Sequence, residues 1–140
     1  MKILLAVDGS EYTRKMLQYV VSHGTLFDAS HEYVLFNAQL ALPPHARAAV
    51  GSATVKDYHE EESAKVLQPA LSTLEGKGLR ARGDWRAGPA GEVIAQYAQD
   101  GQFDMLIMGS HGHGALARLV MGSVANTVLS SCGVPVLLIR

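Results

Sequence analysis

The stretch MKILLAVDGSE, residues 1–11, predicts a buried β-strand that passes directly into a helix. Its apolar run ends at Asp8, and no small-residue cleavage pattern follows, so the stretch does not resemble a secretion signal. Gly9 and Ser10 suit a tight turn, and serine is a residue type that caps the first turn of helices. We therefore interpret these residues as a first strand, Lys2–Val7, followed by a turn and a helix.

The same strand-to-helix pattern continues along the chain. Short runs of aliphatic and β-branched residues predict five strands, and helical periodicity separates them. The predicted strands are Lys2–Val7, Glu32–Asn37, Leu79–Trp85, Phe103–Met108 and Val134–Ile139. Strands joined by helical crossovers are typical of a parallel sheet covered on both faces, and the uninterrupted apolar runs ILLAV and MLIM place the first and fourth strands centrally.

The length of 140 residues suits one domain and is too short for two ordinary ones. We therefore predict a single α/β domain over residues 1–140. Its sheet is doubly wound and Rossmann-like, with five parallel strands in the order 3-2-1-4-5 and helices on both faces. Residues Leu40–Thr54 form the longest irregular stretch, and we expect a mobile loop or a lid there. The charged run His59–Ser63, HEEES, is interpreted as a solvated helix face.

Composition and charge argue against several classes of partner. The formal net charge is −1, and no cluster of Lys and Arg interleaved with aromatic residues is present, so neither nucleic acid nor an acidic membrane surface is expected. No stretch approaches the roughly 18 apolar residues of a membrane span. The only cysteine, Cys132, fits a reducing compartment, and a cytoplasmic protein is therefore expected.

The ends of the first and fourth strands carry the residues expected to bind a ligand, because ligands of open α/β sheets bind beyond the carboxyl ends of the strands. Asp8 lies at the first of these ends, and MGSHGHGALARLVMGSVANTVL, residues 108–129, lies at the second. Glycines there let backbone N–H groups approach a ligand, and successive N–H groups at a helix start form an anion cradle that suits phosphate. Glycines after a strand also serve simply as turn formers.

The spacing of these glycines resembles that of a known family. Gly109, Gly112 and the pair Gly122-Ser123 form the pattern G-x2-G-x9-G-S. Together with the segments ILLAVDGSE, EYVLFNA, GPAGEVIAQYA and VPVLLIR, this pattern resembles the universal stress protein family from nearly one end of the chain to the other. The family has a branch that binds ATP and another that lacks the intact glycine pattern. The pattern is complete here, and the resemblance therefore favours the ATP-binding branch.

The resemblance implies an ATP site in the cleft between the tips of the first and fourth strands. Val7 is implied to contact adenine, and Asp8 the ribose hydroxyls or a metal. Ala38 is implied to line the base pocket, and Met108 and Gly109 to form its floor.

The phosphates are implied to lie against Gly112, Gly122, Ser123 and Val124. His111 and His113 invite a metal interpretation, but no Cys or further His lies near them in the sequence. They are interpreted as loop histidines that contact the phosphates or solvent. Mg²⁺ shared between Asp8 and the phosphates is the metal arrangement that we expect.

Catalytic motifs are scarce in the sequence. There is no P-loop motif and no G-x-S-x-G elbow, and no nucleophile with a base can be assigned. A regulatory ATP-binding module of the stress response is therefore the first hypothesis. A slow ATPase using Asp8 and a metal, and a stress adaptor acting through its dimer surface without nucleotide, stay open as alternatives. The resemblance also implies a homodimer in which the strand Val134–Ile139 pairs with its copy.

Overall fold

The fold is built on one five-stranded parallel sheet, with helices on both of its faces. A computed structural model of the chain describes residues 1–113 and 121–140. The strands are β1 (Lys2–Ala6), β2 (Glu32–Gln39), β3 (Ala81–Ala87), β4 (Met105–Gly109) and β5 (Val136–Ile139). The helices are α1 (Glu11–Ser22), α2 (Pro44–Val50), α3 (Ser52–Glu75), α4 (Ala90–Asp100) and α5 (Ser123–Ser131).

The strand order is β3-β2-β1-β4-β5, which confirms the predicted order and the central position of β1. Ile3 on β1 is paired with Tyr33 on β2 and with Met105 on β4. From β1 the chain builds the sheet outward through β2 and β3, and it then returns to the other side of β1 to add β4 and β5. The direction of winding therefore changes between β1 and β4, which is where open α/β sheets bind ligands.

Alternation along β1 divides the apolar core between the two faces of the sheet. Ile3 and Leu5 are fully buried against the face that carries Met16 of α1 and Leu67 of α3. Leu4 is fully buried on the opposite face. That face packs against α4 and α5 through Ile94, Ala98 and Val128. Because β1 is apolar at consecutive positions, both faces of the sheet are covered, as its uninterrupted apolar run predicts.

The start of α1 follows from its first residues. Ser10 has an extended backbone, and its hydroxyl accepts a hydrogen bond from the Thr13 N–H at 3.4 Å, so serine caps the helix as predicted. Thr13, Met16 and Val20 then recur on one buried face. This short connection holds the end of β1 close to the first turn of α1.

The expectation of an irregular loop over Leu40–Thr54 is wrong for most of that stretch. Helix α2 occupies residues 44–50, and α3 begins at Ser52. Proline at the first turn of α2 is compatible with a helix, and the alanines that follow favour one. Gly51, with a φ of 84°, separates the two helices. Helix α2 is only seven residues long and buries none of them, so its sequence has no apolar periodicity. For this reason the sequence of the segment is typical of a loop.

The bounds of all five strands and one helix face also differ from the sequence-based expectations. Strand β1 ends at Ala6 instead of Val7, β3 spans Ala81–Ala87 instead of Leu79–Trp85, and β4 spans Met105–Gly109 instead of Phe103–Met108. Strand β2 continues to Gln39 instead of Asn37, because β3 pairs with it from Tyr33 through Gln39. Strand β5 begins at Val136 instead of Val134. The run His59–Ser63 is not entirely solvated, since both of its ends are buried in α3 while Glu60 and Glu61 are exposed. Over residues 1–113 and 121–140, no helix has the length and apolar character that a membrane crossing requires.

Candidate functional site

A cavity of about 280 Å³ opens at the carboxyl ends of β1 and β4. Its volume lies near the lower end of the range of roughly 300–1,000 Å³ that is typical of small-molecule sites. The structure brings all eleven sequence-predicted site residues to the lining of this one cavity. They are Val7, Asp8, Ala38, Met108, Gly109, His111, Gly112, His113, Gly122, Ser123 and Val124.

Six further residues line the cavity beside the predicted ones. They are Ala6, Thr13, Ala90, Ile94, Ser110 and Ala125. Ser110 lies within the glycine-rich stretch that the sequence singled out. Ala90 and Ile94 belong to α4, whose periodicity marks a buried face but not which part of the sheet that face covers. Their place in the cavity follows from packing between elements that are distant in sequence.

One part of the cavity is apolar. Ala38, Met108 and Val124 all pack with the apolar cluster on the α4 and α5 side of the sheet, where Ile94 is also buried. Ala38 lies within β2 near its carboxyl end. Together these side chains line an apolar recess formed by β2, β4, α4 and the start of α5. Such a recess suits a planar, weakly polar ring.

Val7 is fixed at the tip of β1 by two hydrogen bonds. Its N–H donates to the Phe36 carbonyl oxygen at 2.9 Å. Its own carbonyl oxygen accepts from Nδ2 of the buried Asn37 at 2.8 Å. The backbone at the entrance of the recess is therefore held in position by β2.

Asp8 is oriented by the turn that follows β1. Its Oδ1 atom accepts hydrogen bonds from the Ser10 N–H at 2.9 Å and from the Thr13 hydroxyl at 2.8 Å. The Asp8 N–H in turn donates to Thr13 Oγ1 at 2.9 Å. The other oxygen, Oδ2, lies so near Gly112 that a Cβ atom built on Gly112 would be 2.8 Å from it. One carboxylate oxygen is therefore committed to the turn, and the other lies beside the glycine-rich loop.

The glycine-rich loop after β4 is tied to its surroundings on both sides. His113 Nε2 lies 2.6 Å from the Asp8 carbonyl oxygen, which links the loop to the tip of β1. Buried Ser110 donates its N–H to the Ile139 carbonyl oxygen at 2.8 Å, and its own carbonyl oxygen accepts from the Gly122 N–H at 2.8 Å. The described ends of the loop are thus held against β1 and β5.

Helix α5 begins at the cavity, and no side chain among the described residues caps its N-terminus. Gly122 precedes the helix and offers no side chain to its first N–H groups, which include those of Ser123 and Val124. Uncapped N–H groups at a helix N-terminus carry partial positive charge and bind anions. A Cβ atom on Gly122 would lie 3.1 Å from the Ser110 carbonyl oxygen and 3.2 Å from His111 Cα. A side chain there would therefore push on the loop that lines the cavity.

The sequence agrees with this geometry when it is compared with known proteins. A sequence model of the universal stress protein family matches residues 1–140. The chain belongs to the universal stress protein family. Universal stress protein Slr1230 of Synechocystis sp. is 32% identical over 139 residues, which cover 99% of this chain and 42% of Slr1230. This universal stress protein thus spans less than half the length of that relative.

Solved structures share the fold. The structure of MJ0577, a universal stress protein of Methanocaldococcus jannaschii, is 28% identical with a TM-score of 0.80, and the match covers 99% of this chain and 94% of that one. The structure of the universal stress protein from Archaeoglobus fulgidus in complex with dAMP is 22% identical, with a TM-score of 0.71 and coverage of 100% and 98%. At that identity the second match speaks for the fold alone.

Proposed function

We propose that this universal stress protein binds an adenine nucleotide, ATP, in the cavity between β1 and β4 and acts as a regulatory module of the stress response. The observation that carries the proposal is the division of the cavity into an apolar recess and an uncapped helix N-terminus. A nucleotide has the same division, with a planar base at one end and phosphates at the other. The Archaeoglobus fulgidus protein, which shares the fold, was solved in complex with dAMP, an adenine nucleotide.

In this proposal the adenine ring lies in the apolar recess. Ala38 and Ile94 lie on its two sides, and Met108 with Gly109 forms its floor. Val7 contacts the ring at the tip of β1, where its backbone is fixed by Phe36 and Asn37. The described side chains that this proposal places around the ring, Val7, Ala38, Ile94 and Met108, are all uncharged, which suits a neutral base.

The phosphates lie at the start of α5. The N–H groups of Ser123 and Val124 and the Ser123 hydroxyl donate hydrogen bonds to phosphate oxygens. Gly112 and Gly122 let the phosphates approach the backbone, because neither has a side chain to occupy that space. His111 and His113 line the same end of the cavity and contact the phosphates there.

Asp8 is the residue that meets the ribose hydroxyls or Mg²⁺, through Oδ2. Among the described residues no cluster of three or more His, Cys, Asp or Glu side chains offers a metal site. A Mg²⁺ ion at this site is therefore held by one carboxylate oxygen together with phosphate oxygens, an arrangement that is common for this ion. The bound ion would neutralise part of the phosphate charge.

We also propose that the protein is a homodimer that pairs through β5. Strand β5 lies at the edge of the sheet and is bonded on one side to β4. Its Val136, Leu137 and Leu138 are only partly buried, and it contains no lysine to discourage edge pairing. Pairing with a second copy covers this edge. Sedimentation analysis tests the assembly, and a monomer at micromolar concentration contradicts it.

The nucleotide site is tested by denaturing freshly purified protein, identifying any released nucleotide by mass, and titrating the stripped protein with ATP and Mg²⁺. We expect binding at micromolar or tighter affinity, about −8 kcal/mol. Gly122→Val is expected to weaken it by more than tenfold, because the added side chain pushes on Ser110 and His111. Gly24→Val is the matched control, since a Cβ atom on Gly24 meets nothing within 4 Å. A folded wild-type protein that releases no nucleotide and does not bind millimolar ATP contradicts the proposal.

A further inference from the structure

A second cavity, of about 590 Å³, lies between α2, the start of α3 and the end of β3. We call it the α2–β3 groove. It shares no lining residue with the cavity between β1 and β4. Its lining combines apolar side chains, two basic side chains and one buried histidine. The six that bear on its chemistry are Leu42, Val55, Trp85, Arg47, Lys56 and His59.

The buried histidine occupies a position where packing alone favours an apolar residue. His59 is only 3% exposed and begins the buried face of α3 that continues through Leu67 and Leu74. Its Nδ1 atom is buried and has no hydrogen-bond partner among the described residues. An unpaired buried polar atom is destabilising, so the ring is poorly explained as a packing residue. The His59 side chain lines the groove, so a bound ligand that reaches Nδ1 would supply the missing partner.

The charge of the groove is positive. Arg47 and Lys56 line it, and no acidic residue is found in the lining among the described parts of the chain. Arg47 forms no ion pair within the described parts of the chain. Lys56 Nζ lies 3.7 Å from Glu60 Oε1, but both side chains are more than half exposed, and such pairs are weak. The groove therefore attracts an anion.

The walls of the groove are apolar and aromatic. The half-buried Trp85 ring lies 5.4 Å from the His59 ring, measured between centroids, and is tilted by 33°. Leu42 and Val55 add aliphatic surface beside these rings. An inorganic anion would leave this surface uncovered. The complementary ligand is one that carries a negative charge on an apolar body.

We propose that the α2–β3 groove binds a small organic carboxylate with an aliphatic or aromatic body. Arg47 and Lys56 hold the carboxylate, and His59 donates a hydrogen bond from Nδ1 to one of its oxygens. The apolar body lies against Trp85, Leu42 and Val55. This site is separate from the nucleotide cavity, so the two proposals succeed or fail independently.

Trp85 is the only tryptophan of the chain, and its fluorescence therefore reports on this groove. The probe is octanoate. The two control compounds are 1-octanol, which has the apolar chain but no charge, and acetate, which has the carboxylate but no long apolar chain. We expect a saturable change of Trp85 emission with octanoate and a response at least about tenfold weaker with the other two. The absence of a saturable change up to millimolar octanoate overturns the proposal, as does equal binding of 1-octanol.

Two variants locate the site. Arg47→Gln combined with Lys56→Gln alters exposed residues only and is expected to weaken octanoate binding about tenfold. Lys65→Gln is the matched control on α3, outside the groove, and is expected to bind like the wild type. Unchanged binding in the double variant overturns the assignment.

His59→Phe keeps an aromatic ring but removes both ring nitrogens. We expect weaker octanoate binding together with an unchanged or higher melting temperature, because the unpaired buried nitrogen is gone. A lower melting temperature with unchanged octanoate affinity would give His59 a purely structural role and overturn its part in the site. If this variant does not fold, the double variant of Arg47 and Lys56 still decides the proposal.

Discussion

Asp8 and Thr13 exchange two hydrogen bonds at the end of β1. The Asp8 N–H donates to Thr13 Oγ1 at 2.9 Å, and the Thr13 hydroxyl donates back to Asp8 Oδ1 at 2.8 Å. This reciprocal pair joins the segment that follows β1 to the first turn of α1. It fixes which oxygen of the Asp8 carboxylate is engaged with the protein and which one lies beside Gly112.

Thr13→Val tests this pairing. The valine keeps the shape of the threonine but leaves the Asp8 N–H without its partner and frees the carboxylate to rotate. We expect the free energy of unfolding to fall by about 1–2 kcal/mol and the affinity for ATP to fall several-fold. Urea unfolding and calorimetric titration measure the two effects. Thr73→Val on the exposed side of α3 is the control, and equal effects of both substitutions would contradict the special role of Thr13.

Asp8→Asn tests the metal. The amide retains the size of the side chain but removes the charge that would bind Mg²⁺ through Oδ2. We expect wild-type protein to bind ATP more tightly when Mg²⁺ is present, and Asp8→Asn to bind it equally with and without the ion. Titrations in Mg²⁺ and in chelator measure the difference. A variant that retains the full Mg²⁺ enhancement rules out Asp8 as the ligand.

His113→Ala tests the link between the glycine-rich loop and β1. Removal of the ring removes the contact of Nε2 with the Asp8 carbonyl oxygen, which spans 105 positions of sequence. Because His113 is exposed, we expect little change in the melting temperature and a several-fold loss of ATP affinity. His45→Ala, also exposed, serves as the control. Unchanged ATP affinity in His113→Ala would show that the loop is held without this contact.

Alkaline pH is expected to destabilise the protein through Tyr33. Burial raises the pKa of Tyr33 to about 12, and its hydroxyl donates to the Asp28 carbonyl oxygen at 2.8 Å. In the unfolded chain a tyrosine ionises near pH 10. The free energy of unfolding should therefore fall as the pH rises from about 10 to about 12, by at most about 1.4 kcal/mol per pH unit from this group.

Urea unfolding across that pH interval measures the effect. Tyr33→Phe cannot ionise, and its stability is expected to fall less steeply with pH than that of the wild type. Parallel curves for the two proteins would show that Tyr33 does not contribute to the alkaline loss of stability.

Much of the sheet, and the two strand ends beside the cavity, could be predicted from the sequence because their signals are local, whereas the individual candidate site residues were implied by the family resemblance. The apolar run of β1 stops at Asp8, and the glycine spacing after β4 fixes Gly112 and Gly122 relative to Ser123. Residues whose position depends on packing between elements that are distant in sequence could not be predicted. Ile94 reaches the cavity only because α4 lies across the sheet from α1.

The α2–β3 groove shows the same limit. His59 heads a charged run that is typical of a solvated helix face, and only the position of α3 against β3 buries it. Helix α2 was missed because it buries no residue that would create a periodic pattern. Neither α2 nor the start of α3 therefore has a sequence pattern that would have predicted the groove.

Ser110 connects the cavity with β5, the strand at the edge of the sheet. One backbone group of this residue bonds to Gly122 at the mouth of the cavity, and the other bonds to Ile139 on the outermost strand. Ser110, which lines the cavity, is therefore hydrogen-bonded directly to the edge strand of the sheet. We therefore expect a ligand that moves the Ser110 backbone to move β5 as well, because the two are joined by a hydrogen bond.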